Sequence, residues 1–118
     1  MELSAEITES GAEVLVEKVL ALRPVPTALV CFNNSLARLA MERLRRRGVK
    51  VPEEMSVLGI GGEEVAGLAC AQADWFAMGR SAVTLLLRAA SASREPEHRL
   101  FPYGIRPGKS AGPPGKGA

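Results

Sequence analysis

The sequence predicts an α/β fold in which a mostly parallel sheet is flanked by helices in three layers. Segments with helical and strand-like patterns alternate along the chain in the order helix, strand, helix, strand, helix, strand. The two clearest strand segments are short apolar runs, typical of parallel strands that helices cover on both faces. With 118 residues, 47% of them hydrophobic, the chain is long enough for one domain with its own core.

The first helix is expected over about residues 10–23. Ser10 and Glu13 have the spacing of a capping box, in which two side chains satisfy free amide groups at a helix start. Apolar residues then recur at helical spacing until Pro24, which cannot continue a helix. The first strand follows as the apolar run over residues 27–32.

The second helix is expected to run from Asn34 to just before Gly48. Either Asn33 or Asn34 can accept hydrogen bonds from the free amides of its first turn. Arginines fill the last turn, where positive charge complements the negative end of the helix dipole. The second strand is then expected over residues 56–60.

The third helix is expected over residues 75–91, where apolar residues step by three and four positions. A short final strand is expected at about 99–105. The segment 107–118 is rich in Gly, Pro and Lys and is expected to be a disordered tail, which leaves one domain over 1–106. The sheet is expected to be incomplete, because residues 1–8 offer only a weak candidate for the strand that should precede the first helix.

Composition argues against several classes of function. Fifteen Lys and Arg residues against thirteen Asp and Glu leave a net charge of +2, which gives no general case for direct nucleic-acid binding. Cys31 and Cys70 lie in apolar stretches, and no secretory signal is recognisable, so we expect buried reduced thiols and a cytoplasmic location. No apolar run reaches the roughly 20 residues that a membrane span needs, so no membrane partner is expected.

Residues suited to catalysis do not form a recognisable pattern. His98 is the only histidine, and neither a nucleophile nor metal-ligand spacing accompanies it. Gly59 and Gly61 follow a strand as in dinucleotide-binding loops, but Glu64 stands where the third glycine of that fingerprint belongs and would repel phosphate. We therefore expect no enzymatic activity, no metal and no cofactor.

Asn33 and Gly61 directly follow the two clearest strands. The carboxyl ends of parallel strands meet at one edge of the sheet, and open α/β sheets bind their ligands there. A side-chain amide offers both donors and an acceptor to a hydroxyl-rich ligand, and it is equally suited to capping the second helix. The sequence therefore indicates a binding or sensing protein. Asn33 either binds the ligand or caps the second helix, or does both.

Several short segments carry a family resemblance. The longer matches are Pro26-Thr27-Ala28, Asn33-Asn34 and Ala37, followed by Gly48-Val49, Val51-Pro52, Glu54-Met55-Ser56-Val57 and Gly59. Weaker matches are Ser10-Gly11, Met78-Gly79-Arg80 and Leu100-Phe101-Pro102. In this order they resemble the C-terminal subdomain of the effector-binding domain in LacI/GalR transcriptional regulators, which is built like the type I periplasmic sugar-binding proteins. The resemblance covers nearly the whole chain apart from the tail.

The resemblance implies that a small molecule, a sugar or a nucleobase, binds between two subdomains and changes the DNA affinity of a module outside these 118 residues. The implied ligand-binding residues follow the two strands and are Asn33, Asn34, Gly61, Gly62 and Glu63. A homodimer is also implied, and its interface on the second helix would comprise Leu36, Arg38, Leu39 and Glu42.

Two positions depart from the family pattern. Asn34 stands where the family has an aspartate, and Gly61 stands where the family usually has the aspartate that accepts hydrogen bonds from ligand hydroxyls. Glu63 and Glu64 are either substitute carboxylates or ordinary acidic residues at the surface. Two alternative functions stay open: a sugar-binding protein of the same fold outside the cytoplasm, and a small nucleotide-using enzyme.

Overall fold

The structure, a computed structural model, describes residues 1–61, 63–91 and 97–114. In this part of the chain the elements are α1 (Glu9–Ala21), β1 (Ala28–Val30), α2 (Asn34–Arg46), β2 (Ser56–Ile60), β3 (Ala69–Gln72), α3 (Trp75–Ser91) and β4 (Gly104–Arg106). The strands form one sheet in the order β1-β2-β3-β4, and β2 runs parallel to both β1 and β3. The predicted fold class, a mostly parallel sheet with helices, is confirmed.

The chain divides into two compact units. The first holds residues 1–72 together with the C-terminal segment from Ile105, and the second holds Ala73–Gly104. The first unit contains α1, α2 and the strands β1 to β3, so it carries both strand ends that the sequence singles out. The second unit contains α3.

The helix α1 begins two residues earlier than the capping-box pattern indicates. The hydroxyl of Thr8 caps it by accepting a hydrogen bond from the Gly11 amide at 3.0 Å. Ser10 therefore lies inside the first turn, and its predicted capping role is wrong. The helix ends at Ala21, before Pro24, and its buried residues are Ala12, Leu15, Val16 and Val19.

The strands β1 and β2 pair in register, with Leu29 opposite Val57 and Val30 opposite Leu58. Successive side chains of a strand point to opposite faces of the sheet. Val57 is fully buried, and Cys31, just beyond β1, is 3% exposed, so these odd-numbered positions face the core. We call this side the inner sheet face.

The helix α2 packs against the inner sheet face and against α1. Its buried residues are Asn34, Leu36, Ala37, Leu39, Ala40, Met41 and Leu44. On the surface, Arg43 binds the Glu9 carboxylate at 2.6 Å and Arg47 binds the Glu17 carboxylate at 2.8 Å. Exposed ion pairs contribute little to stability, so the apolar contacts are the main attraction between the two helices.

The segment after Pro107 is ordered as far as residue 114, which contradicts the predicted disordered tail over that stretch. Ser110 is 1% exposed, and its hydroxyl donates to the Val57 carbonyl at 2.6 Å and accepts from the Ala69 amide at 2.8 Å. Its carbonyl also accepts a hydrogen bond from the Val57 amide at 2.8 Å. Because β3 begins only at Ala69, this segment binds the part of β2 that β3 does not reach. Residues 115–118 lie outside the described part.

The second unit contains the predicted third helix, and α3 has the expected bounds. The Asp74 carboxylate caps it by accepting from the Ala77 amide at 2.8 Å. The rings of Trp75 and Tyr103 meet edge to face, with centroids 6.1 Å apart. The last strand is shorter than predicted, covering Gly104–Arg106.

Candidate functional site

Asn33 lies at the carboxyl end of β1 and caps α2. Its side-chain Oδ1 accepts a hydrogen bond from the Leu36 amide at 2.8 Å, and its backbone is extended, as is usual for a capping residue. The capping role that the sequence left open is thus present. The cap uses the acceptor of the amide and leaves its two N–H donors for other partners. Asn33 is half-buried, and its Nδ2 is not among the buried side-chain atoms that lack a hydrogen-bond partner in the described residues.

Asn34 is part of the scaffold and is 1% exposed. Its Nδ2 donates to the Glu63 carbonyl at 2.8 Å, and its backbone amide donates to the Gly61 carbonyl at 3.2 Å. Among the described residues, none donates a hydrogen bond to its Oδ1. That oxygen faces the backbone of Gly59, where an added Cβ would overlap with it. The side chain therefore joins the start of α2 to β2 and to the loop beyond it.

Gly61 contributes its backbone to the same scaffold. Its amide donates to the Ala71 carbonyl at 2.7 Å, and its φ of 60° lies in the left-handed region that favours glycine. The aspartate usual in the family would be strained in this backbone conformation. The position that the resemblance assigns to a ligand carboxylate is therefore a tight turn in this protein. Gly62, also predicted to bind ligand, lies outside the described residues.

The two glutamates of the loop bind protein groups. A Glu63 carboxylate oxygen accepts from the Ser35 hydroxyl at 3.1 Å. Glu64 forms an ion pair with Arg106 of β4, with 2.5 Å between Oε1 and Nη1. Both carboxylates thus hold the loop to neighbouring elements, and neither of these contacts involves Asn33.

A charged groove lies between α2 and the loop after β2. It has a volume of about 420 Å³, and its lining includes Arg38, Glu42, Arg45, Glu63, Glu64 and Val65. Arg38 and Glu42 pair at 2.9 Å, with their side chains 41% and 45% exposed. The groove therefore includes both charged residues of the predicted dimer interface. Leu36 and Leu39, in contrast, are only 3% and 8% exposed and belong to the core, so they offer little surface to a partner.

Cys31 lies just before Asn33, on the inner sheet face. Burial disfavours the thiolate and raises the pKa of this thiol to about 11. A thiol with so high a pKa is a poor nucleophile near neutral pH. In the described ranges, no group of three His, Cys, Asp or Glu side chains is placed to hold a metal ion, and no helix is long and apolar enough to span a membrane.

The sequence did not reveal the groove or the buried state of Asn34. Two adjacent asparagines at a helix start give no indication of which one caps and which one turns inward. Gly59 carries the only usable signal, because a glycine inside a buried strand often marks a close approach of another group.

The chain is similar in sequence to known proteins of one family. The model of the periplasmic binding protein-like domain family matches residues 2–111. The HTH-type transcriptional repressor PurR of Vibrio cholerae is 33% identical over 95 residues, covering 76% of this chain and 28% of the relative. PurR of Aliivibrio salmonicida is 32% identical over 97 residues, covering 78% and 29%. The chain thus spans less than a third of the length of these relatives.

Solved structures share the fold at lower sequence identity. A LacI family transcriptional regulator from Bifidobacterium animalis superposes with a TM-score of 0.84 at 22% identity, over 94% of this chain and 43% of that one. A regulator of the same family from Enterococcus faecium, solved with bound ribose, gives 0.80 at 21% identity over 94% and 43%. An Arthrobacter regulator in complex with lactose gives 0.77 at 24% identity over 92% and 43%.

Proposed function

The chain belongs to the periplasmic binding protein-like domain family as found in LacI/GalR-type transcriptional regulators, and we propose that it is a ligand-sensing part of such a regulator. The observation that carries the proposal is the half-buried amide of Asn33 at the carboxyl end of β1. The adjacent strand β2 ends beside it, so the two ends form one side of a ligand cleft.

The proposed ligand is a small neutral molecule rich in hydroxyl or carbonyl oxygens, of the sugar or nucleobase class. The N–H donors of Asn33 suit the hydroxyl and carbonyl oxygens of a ligand. Because the amide is neutral, it favours a ligand without charge. The ribose and lactose bound to the Enterococcus and Arthrobacter relatives are consistent with this class. The turn at Gly61 supplies no carboxylate, so we propose a hydrogen-bonding pattern that differs from the family's usual one.

We further propose that the charged groove is where two copies meet. Its lining holds two arginines and three glutamates, so a two-fold axis can place Arg38 of one copy beside acidic residues of the other. Glu63 links this groove to the ligand edge, since its carbonyl binds Asn34 and its carboxylate binds Ser35. A ligand that shifts the loop after β2 would therefore change the groove as well.

The readout is proposed to be DNA binding by a module that is not within these 118 residues. The Vibrio and Aliivibrio relatives are named as HTH-type transcriptional repressors, which fits this arrangement. The net charge of +2 gives this chain itself no strong electrostatic attraction to DNA. Residence in the cytoplasm and lack of catalytic activity belong to the same proposal.

Two substitutions at Asn33 separate ligand binding from capping. Asn33→Asp keeps the cap acceptor but removes both N–H donors, whereas Asn33→Ala removes both functions. Saturation-transfer NMR of the chain with ribose, lactose and adenine should identify a millimolar ligand. Asn33→Asp should weaken its binding about 10-fold, the equivalent of one lost hydrogen bond of about 1.4 kcal/mol, with unfolding unchanged. Equal affinity of the wild type and Asn33→Asp would count against the site.

A further inference from the structure

Consecutive residues at the start of α2 connect two parts of the first unit. Asn33 caps the helix at the ligand edge, which is formed by the carboxyl ends of β1 and β2. The next two residues, Asn34 and Ser35, both bind Glu63 in the loop after β2. The first turn of α2 is therefore joined to the ligand edge and to this loop at the same time.

The two bonds to Glu63 differ in their surroundings. Asn34 is 1% exposed, and its Nδ2 donates to the backbone carbonyl of Glu63 at 2.8 Å. The Ser35 hydroxyl donates to the Glu63 carboxylate at 3.1 Å on the surface, where water competes for both groups. A hydrogen bond from a buried group to a backbone carbonyl fixes the path of the chain itself. The amide of Asn34 is thus the contact that determines where the loop runs.

The Asn34 side chain is also held from the side of the sheet. Its Oδ1 lies where a Cβ of Gly59 in β2 would stand. Its backbone amide donates to the Gly61 carbonyl at 3.2 Å, and the Gly61 amide in turn donates to the Ala71 carbonyl at 2.7 Å. No described residue donates to Oδ1, which is a cost for a buried acceptor. The useful half of this buried amide is therefore its donor, which holds the loop.

The loop that Asn34 holds is one wall of the charged groove. Residues 63–66 line the groove on the loop side, and Arg38, Glu42 and Arg45 line it on the side of α2. Movement of the Glu63 carbonyl would therefore change the distance between the two walls. We propose that the side-chain amide of Asn34 is a positioning contact that ties the ligand edge to the charged groove, so that the two change together. What each surface binds rests on the proposed function.

Asn34→Asp tests the donor, because a carboxyl group can donate only when it is protonated. As a carboxylate it would face the Glu63 carbonyl as a second acceptor. Burial raises the pKa of such a carboxyl above its ordinary value of about 4. ¹⁵N-correlation spectra of the 118-residue chain are followed upward from about pH 4.5. We expect the amides of Asn33 and Gly61 at the ligand edge and of residues 65–66 at the groove to leave their wild-type positions together, with one midpoint.

Two further variants isolate the donor. Asn34→Ala lacks it at every pH, so the amides of residues 65–66 should be displaced throughout and should not follow this titration. Ser35→Ala removes only the surface bond to the Glu63 carboxylate and should leave these amides at their wild-type positions. Glu63 and Glu64 titrate in every variant, and the Asn34→Ala profile measures their share. The amide of Val16, a fully buried residue of α1, reports on the fold as a whole.

The proposal is overturned if the amides of residues 65–66 do not follow the titration of Asn34→Asp. It is also overturned if Ser35→Ala displaces them as far as Asn34→Ala does. A shift of the Val16 amide with the same midpoint would overturn it as well, because Asn34 would then support the whole fold.

Sedimentation velocity of the same samples tests the proposed meeting of two copies separately. Association should weaken about 10-fold in Asn34→Asp above the midpoint, the equivalent of one lost hydrogen bond. A wild-type chain that stays monomeric would refute that part of the proposed function, whereas the NMR titration still decides the role of Asn34.

Discussion

Replacing Gly59 by alanine tests the contact that joins β2 to the start of α2. The new Cβ would overlap with Oδ1 of Asn34 and would lie 3.1 Å from both the Cα and the Cγ of that residue. Asn34 has little freedom to withdraw, because its Nδ2 is bound to the Glu63 carbonyl and Asn33 caps the same helix turn. The substitution must therefore move either the helix start or the strand.

The expected cost follows from two opposing contributions. Inserting a methyl group into a packed core costs about 1–3 kcal/mol. Alanine also restricts the unfolded chain, which stabilises the fold by about 0.4–1 kcal/mol. We therefore expect Gly59→Ala to lower the free energy of unfolding by about 1–2 kcal/mol. Gly79→Ala in α3 is the control, because no atom lies within 4 Å of its added Cβ, and it should be neutral or stabilising.

A double-mutant cycle with Asn34→Ala assigns this cost to the contact. Removal of the Asn34 amide eliminates Oδ1 and Cγ and leaves only the 3.1 Å approach of the backbone Cα. In that background Gly59→Ala should cost less than about 0.5 kcal/mol, so the coupling between the two positions should be at least about 0.5 kcal/mol. Urea unfolding, monitored by circular dichroism, measures the free energy of unfolding of each variant, and the values are compared where the slope m against urea concentration is unchanged. Equal costs in both backgrounds would show that the cost does not come from contact with the Asn34 amide.

Two further predictions concern the buried polar atoms of the first unit. Ser110→Ala should lower the free energy of unfolding by about 1–3 kcal/mol, because the Val57 carbonyl and the Ala69 amide lose their hydrogen bonds to the hydroxyl. Urea unfolding measures this change. Ser4→Ala, at an exposed position, is the control and should have no effect. The pKa of Cys31 is raised from 9.0 to about 11, so stability is full below pH 9 and falls by up to about 2 kcal/mol as pH rises to 11. The free energy of unfolding of Cys31→Val should fall less steeply with pH over this range. A fall as steep as that of the wild type would contradict the raised pKa of Cys31.

The sequence was sufficient for the elements with a clear apolar pattern, either a continuous apolar run or helical spacing. The strand 56–60 and the helix 75–91 have the predicted bounds. The strand β3 was not predicted, because Ala69-Cys70-Ala71-Gln72 contains neither β-branched nor aromatic residues, and the pairing with β2 determines it.

Residues 107–114 were predicted to be disordered because their composition offers almost nothing apolar to bury. Their order comes from hydrogen bonds of Ser110, which composition does not reveal. At the candidate site, the sequence predicted that Asn33 follows β1, because Asn33 comes directly after the apolar run over residues 27–32. The inward turn of Asn34 did not, since its partners Gly59 and Glu63 are 25 and 29 positions away in sequence.

The proposed function depends on the ends of β1 and β2 forming one side of an effector cleft. Its most direct test is a ¹⁵N-correlation NMR titration of the chain with the ligand that saturation transfer identifies. We expect saturable shifts at the amides of Phe32, Asn33 and Gly61, which weaken together in Asn33→Asp. Saturable shifts elsewhere in the chain, with these three amides unmoved, would contradict it.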